Sequence, residues 1–219
     1  VEDLFAYAYA LLAGADYSAR FAEELKTPGP RVPLAADPAL FVEVAEFGRG
    51  LVWLHTYGER FASQRGQLLL PSIVVSRRLS LPERPSDIKY DAATQSLKIG
   101  SGAVAGVTPE AWALEVSGMQ VAKKWLGYRT AKGAGKATSS SSPLDYIRPT
   151  EWLDEWTDEL VALLSVLQRT IDLQPVGVEL LDRVLAGPLI KASDLPEPPP
   201  SMRQPPGSGR GPTQAAFGI

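Results

Sequence analysis

Apolar residues recur at helical spacing through the first sixty positions of the chain. From Glu2 to Ala13 the set Leu4, Phe5, Ala8, Leu11 and Leu12 repeats every three to four residues, and Gly14 supplies a stop, so a helix is predicted there. Asp16 stands where an N-cap belongs and predicts a second short helix, Tyr17 to Leu25, ended by Thr27-Pro28. The linker PGPRVPL excludes helix and central strand, because proline has no amide hydrogen to donate. Asp37-Pro38 then reads as a cap followed by proline at the first helical position. Phe41, Val44, Gly48, Leu51 and His55 carry an amphipathic helix from there to about Tyr57.

The pattern shortens near Leu68. LLLPSIVV is a β-branched run broken by Pro71, and DIKYD, SLKIG and AVAGV are short segments parted by turn residues, which predicts a small antiparallel meander. WALEVSGM is expected to add a last strand before the chain turns helical from Met119 to Tyr128. AKGAGKATSSSS, residues 131–142, is polar and of low complexity and reads as a flexible loop. Helical period then returns through Trp152, Trp156, Leu160, Leu163, Leu167 and Ile171, with Thr150 as the expected cap and Glu151, Asp154 and Glu155 suited to the positive end of a helix. A second helix is expected from about Pro175 to Ala186, stopped by Gly187-Pro188. PEPPPSMRQPPGSGRGPTQ cannot bury a core and reads as a tail. No internal repeat stands out.

These elements predict an α+β fold in four stretches. Residues 1–60 form a helical part, and 61–149 a β-meander with a basic helix and a Gly/Ser loop. Residues 150–195 form a helical pair, and 196–219 the tail. Trp152, Trp156, Leu160, Leu163 and Leu167 are expected to pack on the N-terminal helices, since both apolar faces need cover.

Composition narrows the chemistry by subtraction. The chain of 219 residues has no cysteine, which removes disulfides, thiolate metal sites and a cysteine nucleophile together. The single histidine, His55, falls on the apolar face of its helix and reads as a core or structural residue rather than a base or ligand. With no cysteine and no second histidine, zinc is not expected. No apolar run approaches the ~20 residues of a membrane span. The N-terminal VEDLFAYAYALLAG begins with acids where a signal peptide needs bases, and no Met precedes it, so it reads as a helix beginning inside a longer parent. No Asn/Asp-Pro-Pro-aromatic methyltransferase motif, no glycine-rich cofactor loop and no GxxxxGKS/T sequence occurs. GAGK at 133–136 lacks the strand, spacing and helix that a phosphate loop requires. The carboxylates from Glu151 to Glu159 read as a solvated helix face, and Arg77-Arg78 as a surface pair at a strand end.

Charge is unevenly placed. The net charge is −3, yet residues 117–150 hold six bases against Asp145 alone, while the last 69 residues hold ten acids against five bases. The six bases are Lys123, Lys124, Arg129, Lys132, Lys136 and Arg148. Duplex DNA carries a phosphate charge every ~1.7 Å of axis, so such a cluster is an energetically meaningful counterpart. A solvated face is the plainer alternative, and Trp125 and Tyr128 between these charges are expected to pack inward.

Two groups of segments carry a family resemblance. The first is DLFAYAYALLAGADYSARFAEELKTPGPRVPLAADPALFVEVAEFGRGLVWLHTYGERF, residues 3–61. The second is VSGMQVAKKWLGYR, followed by SSPLDYIRPTEW and DELVALLSVLQRTIDLQPVGVELLDRVLAGPLI. Together they resemble the C-terminal specificity region of the Type ISP restriction-modification enzymes, over nearly the whole chain to about Leu195. The resemblance implies a target-recognition domain for double-stranded DNA, in a cytoplasmic prokaryotic phage-defence enzyme. That parent would join a nuclease, an ATP-driven translocase and an N6-adenine methyltransferase. ATP, Mg²⁺ and S-adenosylmethionine would serve the parent and bind outside this chain, whose own catalytic, cofactor and metal sites are expected to be none. A second reading is a structural coupler that docks the methyltransferase and motor domains, favoured by the amount of helix and by the acidic ends of the chain.

Overall fold

The computed structural model describes residues 1–27, 31–62, 66–132, 148–197 and 199. The chain begins with helix α1, Glu2–Leu12, whose first turn carries Glu2 and Asp3 at the positive end of the helix. It buries Ala6, Tyr7, Ala10 and Leu11, one face of a helix of period 3.6. Helix α2, Ala15–Arg20, starts from Gly14 as its N-cap. Asp16 therefore does not cap; it lies in the first turn and pairs with Arg20 at 2.6 Å. This helix is also shorter than the spacing implies, and a separate 3-10 turn, Glu24–Lys26, follows it. Asp37 caps helix α3, Pro38–His55, as expected, accepting from the Ala39 amide at 2.9 Å.

Helices α1 and α3 meet backbone to backbone. A Cβ at Gly48 would fall 1.8 Å from the Ala6 carbonyl oxygen, so only glycine permits the crossing. The Tyr7 hydroxyl donates to Pro33 O at 2.8 Å and accepts from Ala35 N at 3.0 Å, and the ring stacks on Phe41. Those bonds tie the proline-rich linker to the helices. An antiparallel bridge between Ala35 and Leu189 ties it to the segment around Leu189.

The middle of the chain folds into a four-stranded antiparallel sheet. Its strands are β1 Val74–Arg77, β2 Lys89–Asp91, β3 Ser96–Ile99 and β4 Gly102–Ala105, in the order β1-β4-β3-β2. Leu97 and Ile99 on β3 and Val104 on β4 alternate onto one face and are fully buried. The stretch after the sheet differs from the expected last strand. Thr108 accepts from the Ala111 amide at 3.2 Å and, with Pro109 behind it, starts helix α4, Pro109–Ala113. Strands β5, Glu115–Val116, and β6, Met119–Gln120, then form a separate two-stranded hairpin. Helix α5, Val121–Gly127, follows with no intervening loop.

Helix α6 runs unbroken from Asp154 to Ala186, 33 residues, or about 50 Å at 1.5 Å per residue. The expected helical pair is thus one helix passing through Pro175. Proline's fixed φ is compatible with a helix, but its missing amide leaves the Ile171 carbonyl without a helical donor, a cost met by the packing of both halves of α6. Leu153, not Thr150, occupies the N-cap position. The expected packing is also redistributed. Leu160, Leu163, Leu164 and Leu167 join the sheet, α4 and α5, with Trp152 packed against that cluster. Leu180, Leu181 and Val184 lie instead with Tyr7, Leu11 and Val44 of the N-terminal helices. The stripe is longer than either partner layer, so each half of α6 covers a different core.

Candidate nucleic-acid interface

Helix α5 has two unlike faces. Ala122 and Leu126 are fully buried, and Val121 and Trp125 pack beside them on the sheet core. Lys123, Lys124 and Tyr128 face outward. Tyr128 departs from the expected inward packing and is 62% exposed, with the Lys124 ammonium 5.1 Å from its ring centroid. That position is the C-cap of the helix.

Lys123, Lys124, Tyr128 and Arg148 line one open cleft of about 390 Å³ with Met119, Gln120 and Pro85, and none of its walls is acidic among the described residues. Convergence of three cations on a concave surface raises the local potential beyond what each would produce alone. Among the described residues neither Lys123 nor Arg148 has an ionic partner.

Two other expected cations are placed differently. The Arg129 guanidinium lies 3.5 Å from the Trp125 ring centroid, donates to Glu159 at 3.0 Å and reaches the Trp125 carbonyl at 3.2 Å. It clamps α5 to α6. Lys132 pairs with Glu83, whose carboxyl is held below its ordinary range by that bond, and the Lys132 amide donates to Glu83 O at 2.6 Å. Lys136, GAGK, most of the 131–142 segment and residues 201–219 lie outside the described residues. Arg78 is a surface residue at the end of β1, 3.5 Å from Asp154.

His55 has both ring nitrogens engaged, Nδ1 with the Tyr9 hydroxyl at 2.7 Å and Nε2 with Thr170 Oγ1 at 2.9 Å. Burial pushes its pKa below the usual value, and the ring joins α1, α3 and α6 through these two bonds. The cavity beside it, about 350 Å³, is lined mainly by apolar side chains such as Leu51, Leu173 and Leu181. Among the described residues no three His, Asp or Glu side chains are grouped to hold a metal, and no helix is long and apolar enough to cross a membrane.

Fold and surface together define an α+β domain with a basic concavity built from a short helix and the hairpin before it. The model of the Type ISP C-terminal specificity domain matches residues 1–163, and the chain belongs to that family. Two solved structures are similar to it. One is a nuclease-deletion mutant of the Type ISP restriction-modification enzyme LlaGI in complex with a DNA substrate mimic, at 20% identity and TM-score 0.48, covering 86% of this chain and 14% of that one. The other is a DrdV-DNA complex, at 21% identity and TM-score 0.49, covering 85% of this chain and 18% of that one. This chain therefore spans less than a fifth of either. No curated protein matches it.

Proposed function

We propose that this domain recognises a specific sequence in double-stranded DNA, with Lys123, Lys124 and Arg148 holding phosphates along the α5 cleft. The observation that carries the reading is the cleft itself, three cations converging without an acid among the described residues of a chain that is acidic overall. Membership of a specificity-domain family supports it. Phosphate contacts set register and supply most of the affinity, whereas base edges supply sequence discrimination. Lys136 is proposed as a further phosphate contact, and Lys132 joins it when duplex displaces Glu83. Arg129 positions α5.

The domain serves a longer restriction-modification polypeptide of the prokaryotic cytoplasm, which methylates adenine with S-adenosylmethionine and cleaves after ATP- and Mg²⁺-dependent translocation. Its partners are duplex DNA and the methyltransferase and motor domains of that polypeptide.

Salt dependence tests the reading. Duplex affinity of the wild-type chain is expected to fall linearly in a log–log plot against salt. The triple change Lys123→Ala, Lys124→Ala, Arg148→Ala should reduce the slope by about 0.9 for each phosphate no longer neutralised. The weakening should be the same for every duplex sequence. A chain that binds no duplex at low salt, or a triple variant with an unaltered slope, would favour a coupler that docks the methyltransferase and motor domains.

A further inference from the structure

The hairpin β5–β6 forms one wall of the basic cleft through Met119 and Gln120. Its turn is two residues long, Ser117 and Gly118, both with positive φ at 52° and 74°. That is the backbone of a tight turn whose twist matches its strands. Nothing lies within 4 Å of a Cβ built on Gly118, so the turn projects into open space and needs glycine for its conformation alone. The base of the hairpin is secured. The Val121 amide donates to Leu114 O at 3.1 Å, and Gln120 Nε2 donates to Trp112 O at 3.0 Å.

Register then fixes which side chains are presented. Glu115 pairs with Gln120, and Val116 with Met119. Successive strand residues point to opposite faces, so with Gln120 turned in toward Trp112, Val116 and Met119 share the other face. They are 58% and 53% exposed. A rigid projection thus displays two apolar side chains just ahead of the helix that carries Lys123 and Lys124. Glu115, the one acid on the hairpin, belongs to the pair on the opposite face.

We infer that this hairpin is the base-reading element of the domain: it enters the major groove and sets Val116 and Met119 against thymine methyl groups, while Lys123, Lys124 and Arg148 grip the flanking phosphates. The inference rests on the DNA-recognition function proposed above and goes beyond it by naming the reader. The major groove is about 12 Å wide and admits a two-stranded ribbon, and the thymine C5-methyl is the apolar feature it displays. Phosphates line both edges of that groove, which is where cations beside the ribbon would find them.

Selection from a randomised duplex pool tests the assignment, comparing the wild-type chain with the double variant Val116→Ser, Met119→Ser. Both positions are exposed, and an unchanged thermal melt verifies that the variant is folded. The variant is expected to lose the preference at one or two adjacent positions, by about five- to tenfold, while keeping the wild-type salt slope, since no cation of the cleft is changed. Replacing thymine by deoxyuridine at those positions should weaken the wild type and leave the variant indifferent. Met119→Leu should preserve the preference. A consensus that survives the double change, or a wild type indifferent to deoxyuridine, would overturn the hairpin assignment alone. A wild-type chain that enriches no sequence would overturn the DNA-reading function as well.

Discussion

Arg129 and Lys123 carry the same formal charge six residues apart and use it in different ways. Lys123 faces the open cleft. Arg129 lies against Trp125 with Trp156 5.3 Å away, and its Nε is buried without a hydrogen-bond partner among the described residues. Stacking on an indole and bonding to Glu159 offset that burial. Arg129→Ala is therefore expected to destabilise the fold by about 1–3 kcal/mol, read from urea unfolding. The salt slope of duplex binding should stay as in the wild type; a normal urea midpoint with a shallower slope would return Arg129 to the phosphate contacts. The sequence held a clue to this placement. Arg129 follows Trp125 by four residues, the spacing at which side chains share a helix face.

At the scale of elements, close approach is decided at single positions. Gly48 lies mid-helix, where glycine costs about 1 kcal/mol relative to alanine, yet its absent Cβ lets α3 rest on the Ala6 carbonyl. Gly48→Ala would push two backbones apart rather than displace a flexible side chain. A destabilisation of about 1–3 kcal/mol is expected, seen as a lower urea midpoint with an unchanged m-value; a neutral substitution would show that α1 moves freely on α3. Gly48 stood in the apolar stripe of the sequence, so its contact with another helix was legible and its partner was not. The α4 start was legible too, in Thr108-Pro109, as was the hairpin turn in Ser117-Gly118. WALEVSGM predicts a strand there instead.

In the whole molecule, α6 belongs to two cores at once. Leu164 is fully buried with the sheet, and Leu181 is 2% exposed among the N-terminal helices. Each set of elements is also bonded to α6, through the Thr108 hydroxyl, which donates to Gln168, and through His55 bonding to Thr170. Loss of either core should then remove the support of α6 from the other. Leu164→Ala and Leu181→Ala are each expected to cost about 2–5 kcal/mol. Both should unfold in one transition, with tryptophan fluorescence and far-UV circular dichroism coincident. Two separated transitions would mean that the halves fold independently.

Periodicity and turn residues determined most of the helices, the central meander and the α+β class from the sequence alone, because each depends on residues within about four positions. The clustering of bases in 117–150 was likewise visible in the linear order. Tertiary structure decided which half of α6 covers which core and which of those bases remain open to a ligand. The acids that engage Lys132 and Arg129 lie 49 and 30 residues away. An ion pair depends on distance in space, and chain order carries no record of it until the sheet and α6 bring Glu83 and Glu159 beside α5.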